Sequence, residues 1–200
     1  MRKIYQVVIV LSCALSVFSC KKDSDPTAQE LLDKGENMAT ILTLKPVDSL
    51  VGKTYLGGYI FYVDSTTATG KIVGATDVDD AAPWGCSGQN MSGATDAGFG
   101  AGPANTDYLI QNCTDLFSAA NHCANSVENG FTDWYLPSEA ELILIYNVLG
   151  ANKIGGFSED YYWSSTQIDL NTAQHVSFVD GSVNFSTKSN LHRVRAVKDF

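Results

Sequence analysis

The sequence predicts one α+β domain over residues 51–200, and three observations lead there. Runs rich in β-branched and aromatic residues, Tyr55–Val63, Lys71–Ala75, Tyr161–Ser165, Gln174–Val179 and Val183–Ser186, have the length and composition of strands. Between them Leu142, Ile145, Tyr146 and Leu149 recur at helical spacing. Third, Asp180-Gly181 sits between two apolar runs, which is the strongest short-range signal for a β-hairpin.

Taken in order, Tyr55–Val63 is bounded by Asp64-Ser65 and is expected to pair with Lys71–Ala75 through the Ser/Thr/Gly turn between them. Residues 76–106 are glycine-rich and lack periodicity, so they read as a long irregular segment of the kind that is either functional or packed on itself. Asp107–Asn112 and Leu116–Val127 have helical character, with Asp115 available to cap the second. Pro137 and Ser138 open a helix over Glu139–Leu149, where Glu141 stands three residues after Ser138 as a capping box requires, and Gly150 stops it. Arg193–Phe200 closes the domain as a last strand, expected beside the first.

The N-terminus carries an address. Arg2 and Lys3 precede sixteen uncharged residues, Ile4–Ser19, several of them polar. That is the layout of an export signal and falls short of the roughly 20 apolar residues a spanning helix needs. Val17-Phe18-Ser19-Cys20 resembles a bacterial lipobox, so residues 1–19 are expected to be a signal peptide and Cys20 a lipidated (palmitate-bearing) first residue. Several acyl chains on one residue give a stable membrane anchor, at roughly 0.8 kcal/mol per buried CH₂. The run Lys21-Lys22-Asp23-Ser24-Asp25 resembles the tag that directs lipoproteins of the Bacteroidetes group to the outer face of the outer membrane. Residues 20–50 then read as a lipid-anchored tether with helical character from Thr27 to about Leu44, ended by Pro46.

Removing Arg2 and Lys3 with the leader leaves 11 basic residues against 22 acidic ones, a net charge of −11. Such a surface repels polyanions, so DNA and RNA are excluded as partners. Besides Cys20, the exported part holds Cys86, Cys113 and Cys123. An oxidising compartment allows one disulfide among them. Cys113–Cys123 closes the shortest loop and is the expected pair, with Cys86 as the alternative partner.

Candidate site residues are few. Asn90, Asp96, Asn105 and Asp107 are polar groups in or beside the irregular segment and are expected around a pocket. Trp134 and Trp163 are suited either to stack on sugar rings or to anchor the core through buried, hydrogen-bonded indoles. Asp133, Ser138 and Glu141 could meet a ligand or cation, but Ser138 is expected to cap the helix and Glu141 to complete a capping box. Asp77, Asp79 and Asp80 form an acidic run that would suit calcium, a hard cation wanting several oxygens. His122, His175 and His192 are scattered and lie in no nucleophile or metal motif, so no enzyme is expected.

Gly57-Gly58-Tyr59-Ile60-Phe61-Tyr62, Asn105-Thr106, Gly130–Leu142, Tyr161–Ser165 and Val194-Arg195-Ala196-Val197 together resemble the C-terminal domain of Legionella-type collagen-like adhesins. That resemblance implies a fold related to C-type lectins: two main helices on an antiparallel sheet, long irregular loops, and paired N- and C-terminal strands. The founding domain of that family recognises sulfated polysaccharides. Here no collagen-like Gly-X-Y stalk is present and the charge is strongly negative. The resulting expectation is a surface lipoprotein whose lectin-like domain binds a glycan or another surface component without catalysis. The alternative is an accessory, protein-binding subunit of an outer-membrane assembly.

Overall fold

The computed structural model of the protein describes residues 25–200. The expected signal peptide and Cys20 lie outside the described residues. No helix among the described residues is long and apolar enough to cross a membrane.

The chain begins with two short helices, α1 (Ala28–Asp33) and α2 (Met38–Leu44). Thr27 and Glu30 form a reciprocal capping box at the start of α1, and Asn37 caps α2. Gly35, at φ 73°, turns the chain between them, a conformation glycine adopts without steric cost. Residues 28–50 are not a free tether: Leu31, Leu32, Met38, Ile41 and Leu50 are buried in the same core cluster as Ile60, Ile72 and Trp134.

Two sheets follow. β1 (Thr54–Tyr55), β2 (Gly58–Asp64) and β3 (Thr69–Gly74) form an antiparallel meander, and β9 (Val197–Asp199) joins its far edge in the order β1-β2-β3-β9. The C-terminal strand therefore lies in the N-terminal sheet, against β3 and not against β2. The second sheet has the order β4-β8-β5-β6-β7, from β4 (Asp79–Pro83), β5 (Tyr161–Gln167), β6 (Thr172–Ser177), β7 (Val183–Thr187) and β8 (Leu191–Val194). Its pairs are antiparallel except β5 with β8, which run parallel with Tyr162 opposite Arg193.

The single last strand expected from sequence is two strands, because the chain changes sheets at Arg195-Ala196. Arg195 is fully buried there; its guanidinium pairs with Asp77 at 2.5 Å and donates to the carbonyls of Gly74 and Gly155 at 3.0 Å each. A buried charge is tolerated when it is paired and hydrogen-bonded in this way. Inside the irregular segment, β4 and the start of α3 (Gly102–Asn112) escaped prediction, since β4 reads Asp-Asp-Ala-Ala-Pro and α3 opens with Gly-Pro.

The helices α4 (Ala119–Ala124) and α5 (Glu139–Val148) complete the chain. Leu142, Ile145 and Leu149 of the α5 face pack with Phe61, Val73, Tyr162, Val176 and Phe178 in a second core cluster. In the first cluster α4 buries Ala119, Ala120 and Cys123 beside Trp84, Trp134 and Trp163. The result is an α+β architecture, with two main helices and long loops, consistent with a lectin-like fold.

One disulfide braces the loops, and it is Cys86–Cys113, with Cα atoms 5.7 Å apart, not Cys113–Cys123. The correction has a steric basis. Gly85, at φ 99°, lies so close to Ser118 that a side chain there would approach it to 2.4 Å, and this tight passage delivers Cys86 to Cys113. Cys123 faces the core of α4 and remains a buried free thiol, whose pKa burial pushes well up.

Candidate functional site

The tryptophans are core anchors. Trp134 is 2% exposed and donates its indole N–H to the Phe131 carbonyl at 2.9 Å. Trp163 donates to Ala82 at 3.0 Å and Trp84 to Ser164 at 2.8 Å, so both rings lock β4 onto β5. Of the two roles open to Trp134, the core one holds and a sugar-stacking face does not: the ring is covered and its one donor is used. Ser138 and Glu141 form the expected capping box on α5. Glu141 is also 3.1 Å from Lys71, beside Tyr135 and Asp199, in a polar cluster that ties α5 to β3 and β9. Burial and the two carboxylates push the Tyr135 hydroxyl far above its ordinary pKa, so it stays a proton donor there.

The other predicted groups do not converge on a pocket. Asn105 is buried, donating to the Asp96 carbonyl at 2.7 Å and to Ser165 at 3.1 Å, and so holds the start of α3 against β5. Asp96 caps its own loop by accepting from the Gly98 N–H. Asn90 accepts from Gln167 at 2.8 Å, and Asp107 is exposed on α3.

The acidic run is committed to protein cations instead of calcium. Asp77 faces Arg195 and Arg193 (2.9 Å), and Asp80 faces Arg193 at 2.6 Å. Asp79 accepts from the Ala81 N–H at 2.7 Å and stands 3.5 Å from His122. The guanidinium groups occupy the place a hard cation would take. No group of three or more His, Cys, Asp or Glu side chains among the described residues is arranged to hold a metal ion.

The arrangement best suited to a ligand is a cleft of about 430 Å³ between the β3–β4 connection, Thr76–Val78, and the α4 region from Leu116 to Glu128. Its construction follows from local sequence. Asp115 accepts from the Phe117 N–H at 3.0 Å, and Ser118, not Asp115 as expected, caps α4 by accepting from Asn121. Asn121 ties the turn together, donating to the Asp115 carbonyl at 3.0 Å and to the Ser118 hydroxyl at 2.9 Å. These bonds hold Leu116 and Phe117 outward, 75% and 73% exposed. The core face of α4 fixes its opposite face, which turns His122 and Asn125 into the cleft.

The facing wall is equally rigid. Asp77 is pinned by two arginines, and the Val78 N–H donates to the Val194 carbonyl at 2.9 Å. Beneath it, Glu128 accepts the Ala75 N–H on Oε2 at 3.1 Å, while its Oε1 is buried without a hydrogen-bond partner. Burial raises the pKa of this carboxyl group, against the smaller opposing effects of the Ala75 N–H and Arg195. A larger groove of about 520 Å³ runs between α1 and the β1–β2 turn, but its walls are mainly Leu32, Tyr55, Leu56 and Phe131, with few polar groups to orient a ligand.

Fold and site together define an α+β domain consistent with lectin-like architecture, braced by a disulfide and opening into a half-polar cleft. The chain belongs to the Lcl C-terminal domain family, which it matches over residues 81–198. That span holds the α4 wall of the cleft; Thr76–Val78 and the strands β1 to β3 precede it. No curated protein matches the chain.

Proposed function

We propose that this protein is an exported, surface-displayed lipoprotein whose domain binds a glycan without catalysing its turnover, using the cleft between Thr76–Val78 and Leu116–Glu128. The observation that carries this reading is the Leu116-Phe117 pair. Two large apolar side chains are held in solvent by the capping bonds of Asp115 and Ser118, beside amide, imidazole and carboxylate groups. Exposed apolar surface rimmed by polar groups marks interaction sites. An aromatic face of this kind suits the apolar face of a pyranose, while Asn125 and His122 are placed to meet its hydroxyls. Membership of a family named for a collagen-like adhesin supports an adhesive role. The non-catalytic reading is supported by Ser164 and Ser165, which are fully buried in β5.

The test is a glycan-array screen of residues 21–200, with and without a calcium chelator. Reproducible binding to one glycan class, unchanged by chelator and lost in Phe117→Ala, is the expected result. A silent array would move the reading to a protein partner, for which the 65% exposed Val127 beside the cleft extends the apolar surface.

A further inference from the structure

The charges around the cleft go further than the glycan reading on which this inference rests. Two guanidinium groups lie near its wall, and both are spent. Arg195 is engaged by Asp77 and by the carbonyls of Gly74, Gly155 and Gly156. Arg193 is shared among Asp77, Asp80 and Asp160. His122, the one basic side chain lining the cleft, faces Asp79. Glu128 is left without a cation within ion-pair distance among the described residues, and one of its oxygens lacks any hydrogen-bond partner. That oxygen rests against Gly74, where an added Cβ would come within 2.5 Å of it.

A carboxylate desolvated on one side, its charge only partly offset by the Ala75 N–H and the more distant Arg195, projects its field through the low-dielectric cleft walls toward whatever occupies the opening. Such a field favours a positive group and opposes an anion, and the net charge of −9 over the whole chain works in the same direction at longer range. We propose that the cleft selects saccharides bearing a protonated amine over neutral or sulfated ones, and that Glu128 sets this preference. Phe117 supplies the stacking surface common to amine-bearing and neutral sugars. Glu128 is thus a specificity residue acting by charge across the cleft floor, and the aromatic contact accounts for binding as such.

The experiment measures equilibrium binding of residues 21–200 at neutral pH to three probes: a chitosan oligosaccharide (free amines), the chitin oligosaccharide of equal length (N-acetylated), and a heparin fragment (sulfated). The expected order is chitosan over chitin by about tenfold, a difference of about 1.4 kcal/mol, with heparin weakest. Glu128→Gln should bring chitosan and chitin to near equality while leaving chitin binding intact. Glu128→Asp, which keeps the charge, should restore the preference. Phe117→Ala should weaken chitosan and chitin alike. An unchanged chitosan-to-chitin ratio in Glu128→Gln, or heparin as the tightest ligand, overturns the amine preference alone. If wild-type protein binds none of the probes, the amine preference falls; if Phe117→Ala binds them as well as wild type does, the cleft reading falls and the preference with it.

Discussion

Buried His175 and its half-buried neighbour His192 show how single residues govern the chemistry of this fold. Their rings lie 4.7 Å apart between Tyr161 and Trp163, and Nδ1 of His175 and Nε2 of His192 have no hydrogen-bond partner. Burial, with His192 as the second cause, depresses the His175 pKa from 6.5 to about 4. A histidine neutral in the fold and protonated when unfolded contributes stability above its unfolded pKa, and that contribution is lost as pH falls toward the folded value. Urea-denaturation midpoints should therefore drop as pH is lowered from 6.5 toward 4, and less steeply in His175→Gln. Parallel slopes would show that the imidazole is not held neutral. The same scale explains the tryptophans. Each has its indole N–H on a backbone carbonyl, and the two residue types a lectin and a core both use, Trp and Asn, have gone to the core here at Trp134 and Asn105.

Among the elements, the N-terminal helices are the largest departure from the sequence reading. Ile41 is fully buried, so Ile41→Ala should cost about 2–5 kcal/mol in chemical denaturation, as core truncations do. A loss near zero would restore the tether. The disulfide offers a second test. Cys86 and Cys113 are 27 residues apart, and on the chain-entropy estimate their bond stabilises by about 3.5 kcal/mol. Non-reducing peptide mapping should find Cys86 joined to Cys113 in wild type and in Cys123→Ala, whereas Cys86→Ser should lose the bond and most of that stability. A Cys113–Cys123 peptide would contradict the fold.

What was legible in the sequence was local. α5 could be placed because Ser138, Glu141 and Gly150 carry its start and stop within one short stretch, and β2, β3, β6 and β7 because their turns follow them directly. The start of α4 was misplaced because Asp115 and Ser118 are both capping types, and only three-dimensional packing decides between them. The apolar spacing of residues 27–44 announced helices without saying what covers them. Cysteine pairing depends on the passage of Gly85 by Ser118, which no spacing reveals. The cleft was unreadable for a related reason: its walls come from residues 76–78 and 116–128, joined only through the folded sheet. The one local signal, an apolar Leu-Phe pair between Asp115 and Ser118, becomes meaningful once that turn is recognised as exposed.

At the scale of the whole molecule, the two-sheet fold presents a half-polar cleft on an acidic surface. Two core clusters and a disulfide hold the two sheets, and the chain crosses between them at a fully paired Arg195. A surface of this charge steers away from polyanions, so any ligand is expected to be neutral or cationic. The most direct test of the central claim is to map the binding surface by backbone-amide chemical shifts, titrating isotope-labelled protein with the tightest saccharide found on the array. The account predicts perturbations concentrated at Thr76–Val78 and Leu116–Ser126, abolished in Phe117→Ala. Shifts centred instead on Asn90–Asp107, or on the groove between α1 and the β1–β2 turn, would contradict it.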